Sequence, residues 1–156
     1  MDKRLLIAVD ESENSKMALL YVAEFLGGFD GFAIKVLSIL PVPDADFYDS
    51  EEAREQWIQS RKGALSDMLE RYRAILIHSG FPENKVVTEV AVTFSDPVSS
   101  VIIGKQEEYN ACTLIVGRRG VSKQEEFLFG SVSSKIIHKA NRCAVWIVEP
   151  ACKTDF

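Results

Sequence analysis

Residues 113–131 read TLIVGRRGVSKQEEFLFGS, in which a short apolar run is followed by two glycine-containing turns. Gly117 and Gly120 bracket two arginines, and after nine further residues Gly130-Ser131 precedes a helical pattern. Glycines let backbone N–H groups approach an anion closely, and the first N–H groups of a helix are unpaired and partly positive. The stretch predicts a strand, a phosphate-binding loop and a helix, although a plain strand-to-helix turn can carry the same glycines.

Short apolar runs alternate with longer amphipathic segments along the chain, which is typical of a parallel sheet covered by helices on both faces. The predicted strands are residues 5–9, 32–40, 85–92, 113–116 and 144–148. The predicted helices begin at the Ser12 N-cap, near Glu51, at Asp96-Pro97 and at Ser131. We expect an α/β, Rossmann-like fold: one open, doubly wound, parallel five-stranded sheet in the order 3-2-1-4-5, with helices on both faces. We expect residues 1–150 to form this single domain and residues 151–156 to form a C-terminal tail.

The first helix and the two edge strands lead to further predictions. The first helix is predicted to bury four residues at helical spacing, namely Ala18, Tyr21, Val22 and Phe25. The third strand alternates only weakly between apolar and polar residues, which predicts an exposed edge. Strand 144–148 would be the other edge, and its apolar character predicts that a second copy of the chain covers it.

The order 3-2-1-4-5 places the first and fourth strands side by side at the point where the winding reverses. Ligands of such folds bind in the crevice beyond the carboxyl ends of these two strands. Asp10 follows the first strand and Gly117 follows the fourth. An acidic group and the glycine-rich turn are therefore expected to face the same crevice, although Asp10-Glu11 could also be a solvated helix-capping pair.

Composition limits the classes of partner. The chain has 156 residues, of which 47% are hydrophobic, and this suits one globular domain with a full core. A net charge of −5 argues against a nucleic-acid or anionic-membrane surface. No apolar stretch approaches the length of a membrane span or a signal peptide, so we expect a cytoplasmic protein.

The cysteines indicate a reducing compartment. Cys112, Cys143 and Cys152 are odd in number and lack C-x-x-C spacing. Cys112 and Cys143 each precede a predicted strand, so they would lie near one another if those strands pair. They are predicted to be small buried hydrophobic residues.

Other nucleotide-binding and catalytic classes lack their motifs in this chain. G-x-x-x-x-G-K-[ST] and a G-x-G-x-x-G after the first strand are both absent, which argues against a P-loop NTPase and a dinucleotide site. A receiver-type domain needs a carboxylate at the end of the third strand, where Val92-Thr93-Phe94 has none. No Ser/His/Asp or Cys/His arrangement can be assembled, so no catalytic residue is predicted.

Three motifs together resemble the universal stress protein family over nearly the whole chain. They are the G-x-x-G, nine residues and G-S pattern from Gly117 to Ser131, Val9-Asp10-Glu11-Ser12 after the first strand, and Ser95-Asp96-Pro97 before the third helix. The closing stretch from Gly130 to Val148 is also similar to that family's last helix and strand.

The resemblance to the ATP-binding, single-domain branch of this family implies a site. The glycine loop would hold the triphosphate through Gly117, Gly120, Gly130 and Ser131, with Arg118 and Arg119 inside the loop and Val132 and Ser133 adding helix N-terminal contacts. Asp10 would accept hydrogen bonds from the ribose hydroxyls or lie near a metal ion. Ile39 would offer its backbone to the adenine edge, and Ala8 and Val9 would line the pocket.

The implied function is that of a regulatory or signalling module in the stress response, which binds ATP with Mg²⁺ or Mn²⁺. The metal ligands themselves are not identified. A homodimer through strand 144–148 is also implied by the resemblance. Two alternatives stay open, which are a nucleotide-free homodimeric interaction domain and a slow ATPase.

Overall fold

Strands and helices alternate along the computed structural model of the chain, which describes residues 3–118 and 131–149. The strands are β1 (Lys3–Ala8), β2 (Phe32–Pro41), β3 (Val86–Thr93), β4 (Thr113–Gly117) and β5 (Ala144–Val148). The helices are α1 (Glu13–Leu26), α2 (Glu51–His78), α3 (Val98–Tyr109) and α4 (Ser131–Lys139). Single 3-10 turns lie at Ala45–Phe47 and Glu83–Lys85.

The strands form one parallel sheet in the order β3-β2-β1-β4-β5, which confirms the predicted topology. The register is such that Leu5 of β1 lies opposite Ile34 of β2 on one side and Thr113 of β4 on the other. The winding reverses between β1 and β4. Their carboxyl ends therefore lie side by side, as the order requires.

Strand β1 lies in the middle of the sheet, and its side chains are apolar on both faces. Leu5 and Ile7 pack into the core under α1 and α2, whereas Leu6 and Ala8 pack into the core under α3 and α4. Leu6 and Ile7 have no exposed surface. A continuous apolar run of this kind is expected only for a strand that is covered on both sides.

Helix α2 has 28 residues and begins at Glu51, where a helix was predicted to begin. The Ser50 hydroxyl caps its start by accepting a hydrogen bond from Ala53 N at 3.0 Å. The helix is long enough to cross a bilayer, but polar and charged residues recur along it. Within the described part of the chain, no helix is both long and apolar enough to span a membrane.

The two edges of the sheet differ in polarity. Glu89 of β3 forms ion pairs with Lys35 of β2 at 3.6 Å and Lys105 of α3 at 3.0 Å. The hydrogen bond to Glu89 raises the pKa of Lys105. Strand β5 has the sequence AVWIV and carries no charged residue. Charge on an edge strand discourages pairing with another chain, so β3 is protected in a way that β5 is not.

The prediction for the first helix was partly wrong. Ala18 and Val22 are fully buried as expected, but Tyr21 is 42% exposed and Phe25 is 56% exposed. Leu19 and Ala23 occupy the buried face beside Ala18 and Val22. Tyr21 and Phe25 lie one step around the helix, where they contact Trp146 on the edge strand β5 instead of entering the core.

The prediction that two cysteines are buried hydrophobic residues was also wrong. Cys112 is exposed and Cys143 is only partly buried. Both precede their strands at the amino end of the sheet, where the covering helices no longer shield every residue.

Gly117 lies where the end of β4 meets the first turn of α1. A Cβ atom at this position would lie 2.5 Å from Asn14 O and 2.9 Å from Ser15 N. Both atoms belong to the helix backbone, which cannot move aside as a flexible side chain would. Glycine at this position is therefore required by helix-to-strand packing, in addition to any role in a loop.

We predict that Gly117→Ala lowers the free energy of unfolding by about 1–3 kcal/mol, because the added methyl group overlaps the α1 backbone. Urea denaturation followed by circular dichroism measures this change. Gly104→Ala is the matched control, since a Cβ atom there meets no heavy atom within 4 Å in the middle of α3. The control should gain about 0.5–1 kcal/mol from helix propensity. Equal stability of the two variants would contradict the packing role.

Candidate functional site

A pocket of about 150 Å³ lies at the carboxyl ends of β1, β2 and β4, where the strand order reverses. Seven of the predicted site residues line it: Ala8, Val9, Asp10, Ile39, Gly117, Val132 and Ser133. They come from three strands, the segment after β1 and the start of α4. The structure thus brings together residues that are far apart in sequence.

The walls of the pocket are mainly apolar. Val98 and Ile102 of α3 close one side, and Leu37, Pro41 and Val116 contribute from the strands. Sequence analysis did not include these five residues in the site. The Ser95-Asp96-Pro97 motif before α3 was the available signal, because it places the start of that helix at the same end of the sheet.

Asp10 lies two residues after β1, in a turn that leads into α1. Its Oδ1 accepts a hydrogen bond from Ser12 N at 2.8 Å, which is an Asx turn. Ser12 is the N-cap of α1, as predicted, and its hydroxyl accepts from Ser15 N at 3.3 Å. Asp10 is therefore part of the helix start and of the pocket lining at once.

The hydroxyl group of Ser15 stabilises this turn through two hydrogen bonds to the Asp10 backbone. Its Oγ accepts from Asp10 N at 2.9 Å and donates to Asp10 O at 2.8 Å. The Ser15 side chain is buried. Both backbone polar groups of Asp10 are thereby satisfied, and the position of the Asp10 carboxylate at the pocket is defined.

Charged groups surround the same turn. Glu11 forms an ion pair with Arg61 of α2. Burial raises the pKa of the Tyr72 hydroxyl, and the negative charges of Glu13 and Asp10 raise it further, against a smaller lowering by Arg71. The start of α1 is thus linked to α2 behind the pocket.

Arg118 is bonded to the end of β5. Its backbone N donates to Val148 O at 3.0 Å, and its guanidinium pairs with Glu149. It extends the β4–β5 pairing by one residue and does not line the pocket. In this arrangement Gly117, the last residue of β4, lines the crevice, and Arg118, the residue after it, does not.

Helix α4 begins beside the pocket. Val132 and Ser133, in its first turn, line the cavity, and no acidic residue occurs in that turn. Its N–H dipoles make this end of α4 suitable for an anion. Ser131 starts the helix. The predicted site residues Arg119, Gly120 and Gly130 lie outside the described residues.

Metal-ligating side chains do not cluster in the described ranges 3–118 and 131–149, where no three His, Cys, Asp or Glu residues could hold an ion together. Asp10 is the acidic residue in the pocket lining. A doubly wound sheet with an apolar crevice at its switch point is the arrangement in which α/β proteins commonly hold small ligands.

The chain belongs to the universal stress protein family, whose sequence profile matches residues 1–149. A Staphylococcus aureus (strain USA300) protein that carries the universal stress protein name is 28% identical over 147 residues, which cover 94% of this chain and 83% of that protein.

Solved structures of the family share the fold. A universal stress protein in complex with cAMP has a TM-score of 0.68 at 14% identity, covering 94% of this chain and 96% of that one. A universal stress protein from Archaeoglobus fulgidus in complex with dAMP has a TM-score of 0.60 at 21% identity, covering 94% and 97%. At such identities the likeness establishes the architecture alone.

We predict that Ser15→Ala lowers the free energy of unfolding by about 1–3 kcal/mol, because Asp10 N and Asp10 O would lose their buried partner. Chemical denaturation monitored by tryptophan fluorescence measures the loss. Ser100→Ala is the control, since Ser100 is exposed on α3, and it should change stability by less than about 0.5 kcal/mol. If Ser15→Ala is as stable as the control, these hydrogen bonds do not define the turn.

Proposed function

We propose that this protein binds an adenine nucleotide, ATP in preference, in the crevice between β1 and β4 and acts as a cytoplasmic regulatory module in the stress response. The observation that carries the proposal is the apolar pocket at the switch point, which opens beside the start of α4. The pocket combines a site for a flat ring with a site for an anion.

The pocket fits the base by its size and its walls. A cavity of about 150 Å³ with mainly apolar walls accommodates an aromatic ring. Ile39 and Val116 on the sheet and Ile102 on α3 would contact the faces of the ring. The backbone of Ile39 would meet the polar edge of adenine, as the family resemblance implies.

The phosphates would lie at the start of α4. Ser133 lines the pocket there, and the helix offers unpaired N–H groups to phosphate oxygens. Gly117 leaves the end of β4 without a side chain between the base pocket and this helix. We assign Arg119, Gly120 and Gly130 to the triphosphate as well, on the sequence pattern of the loop.

Asp10 would serve the ribose or a metal ion. Because Ser12 and Ser15 fix the turn, the carboxylate is already positioned at the pocket before a ligand arrives. Mg²⁺ is usually held by one or two carboxylates together with substrate phosphates. A single carboxylate at the pocket fits that pattern, in which Mg²⁺ or Mn²⁺ would enter with the nucleotide and neutralise its phosphate charge.

The relatives support an adenine nucleotide. Two solved family members are described as complexes with cAMP and dAMP. The preference for ATP rests on the glycine-loop pattern of residues 117–131, which suits more than one phosphate. We propose that the nucleotide is bound and not hydrolysed as a main function, because no residue was predicted to act as the general base for water. Slow turnover of ATP is the alternative.

We predict that Val98→Trp weakens ATP binding at least tenfold, because the indole would fill the pocket from the start of α3. Isothermal titration calorimetry with ATP and Mg²⁺ measures the affinity. Val87→Trp is the matched control, since Val87 is exposed on the edge strand β3 and does not line the pocket. Equal affinities of the two variants would show that the nucleotide binds elsewhere.

Chromatography of nucleotide released from the purified protein tests the ligand directly. Titrations with ATP, AMP and cAMP then rank the phosphate requirement, and the appearance of ADP over hours distinguishes turnover from binding. Neither co-purified nucleotide nor titratable binding would contradict the proposal.

A second function, homodimer formation through β5, is favoured by an aromatic cluster beside that strand. Tyr21 and Phe25 stack with ring centroids 5.4 Å apart, and both meet the edge of Trp146, at 6.3 and 6.1 Å. The cluster extends the apolar edge of β5 onto α1. A second copy that pairs with β5 would cover both surfaces, whereas charged β3 discourages such pairing.

We predict that Phe25→Arg shifts the chain towards monomer in sedimentation velocity at micromolar concentration, because the dimer would bury an unpaired charge. Phe47→Arg is the matched control. Phe47 is 68% exposed and lies in the 3-10 turn after β2, away from β5. A monomeric wild-type protein, or equal dissociation of both variants, would contradict a dimer through this surface.

A further inference from the structure

Cys112 and Cys143 lie next to one another at the amino end of the sheet. Each directly precedes its strand, and the strands pair with Thr113 opposite Ala144. Ala144 N donates to Cys112 O at 2.9 Å, so the pairing reaches back to the cysteines. This end of the sheet is opposite to the crevice at the carboxyl ends.

The two thiols differ in environment. Cys112 is exposed, whereas Cys143 is partly buried against the core under α3 and α4. Burial raises the pKa of the Cys143 thiol, and the negative charge of the Cys112 thiolate raises it further. Both residues are free thiols.

We propose that Cys112 and Cys143 are a redox modification site, in which a peroxide converts the two thiols into a reversible cross-strand disulfide. Neighbouring strands lie about 4.7–4.9 Å apart. This spacing falls within the roughly 4.4–6.8 Å between Cα atoms that a disulfide bridges. The strand register and the hydrogen bond from Ala144 N to Cys112 O thus bring the two cysteine backbones to about this spacing.

The chemistry assigns different roles to the two residues. The exposed Cys112 thiolate attacks the peroxide, breaks the O–O bond and becomes a sulfenic acid, with release of water after proton uptake. The Cys143 sulfur then attacks the Cys112 sulfur and displaces hydroxide, which takes the Cys143 proton and leaves as a second water. Two thiols and one hydrogen peroxide thus give one disulfide and two waters.

The disulfide would close a ring around residues 113–142, the segment that contains the glycine loop. It would join β4 to the edge strand β5 at the amino end of the sheet. Formation of the bond needs neither nucleotide nor a partner chain, so the test is independent of the proposed function.

Treatment of the full-length protein with one equivalent of hydrogen peroxide tests the site. Non-reducing peptide mapping by mass spectrometry should show one species that joins the Cys112 and Cys143 peptides, lighter by two hydrogen atoms than the separate thiols. Dithiothreitol should restore both thiols. A product in which either residue is joined to Cys152 or to another chain, or oxidised only to sulfinic acid, would overturn the proposal.

Variants separate the two roles. Cys143→Ser should accumulate a dimedone-reactive sulfenic acid at Cys112, because the resolving thiol is missing. Cys152→Ser is the control and should form the disulfide as the wild type does. If dimedone labels Cys112 equally in the wild type and in Cys143→Ser, Cys143 does not resolve the sulfenic acid and the proposal fails.

Discussion

The approach of Gly117 to the first turn of α1 is the constraint on which the crevice depends. A Cβ atom would lie 2.5 Å from Asn14 O, so only glycine allows the end of β4 and the start of α1 to meet this closely. The same helix turn carries Ser15, which binds both backbone polar groups of Asp10. One packing contact therefore sets the positions of the residues that follow β1 and β4, the two strands between which the winding reverses.

The chemistry of the molecule is divided between the two ends of the parallel sheet. Loops and helix N-termini converge at the carboxyl end, where their N–H dipoles suit an anion and the pocket lies. The amino end of β4 and β5 instead brings Cys112 and Cys143 together through strand register. The two edge strands of the sheet also differ in polarity, because β3 carries an ion-paired Glu89 and β5 is apolar.

Sequence patterns predicted the strands and helices well where the hydrophobic residues follow one regular spacing. The apolar run of β1, the start of α2 and the strand order were all as expected. Patterns failed where a helix lies over the edge of a sheet, since Tyr21 and Phe25 follow helical spacing but contact Trp146 on β5 instead of entering the core. The pocket residues Val98 and Ile102 were missed because an apolar helix face looks the same whether it contacts core or cavity.

By itself, the sequence determined the order of strands and helices, the family and the residues that end β1 and β4. Hydrophobic periodicity and glycine placement are local properties, and they can be read along the chain. Tertiary structure decided that Arg118 pairs with Glu149 outside the pocket and that the Gly117 position has no room for a side chain. It also decided that Cys112 is exposed beside Cys143. These facts depend on which surfaces meet across the sheet, and such distances are set by packing between segments remote in sequence.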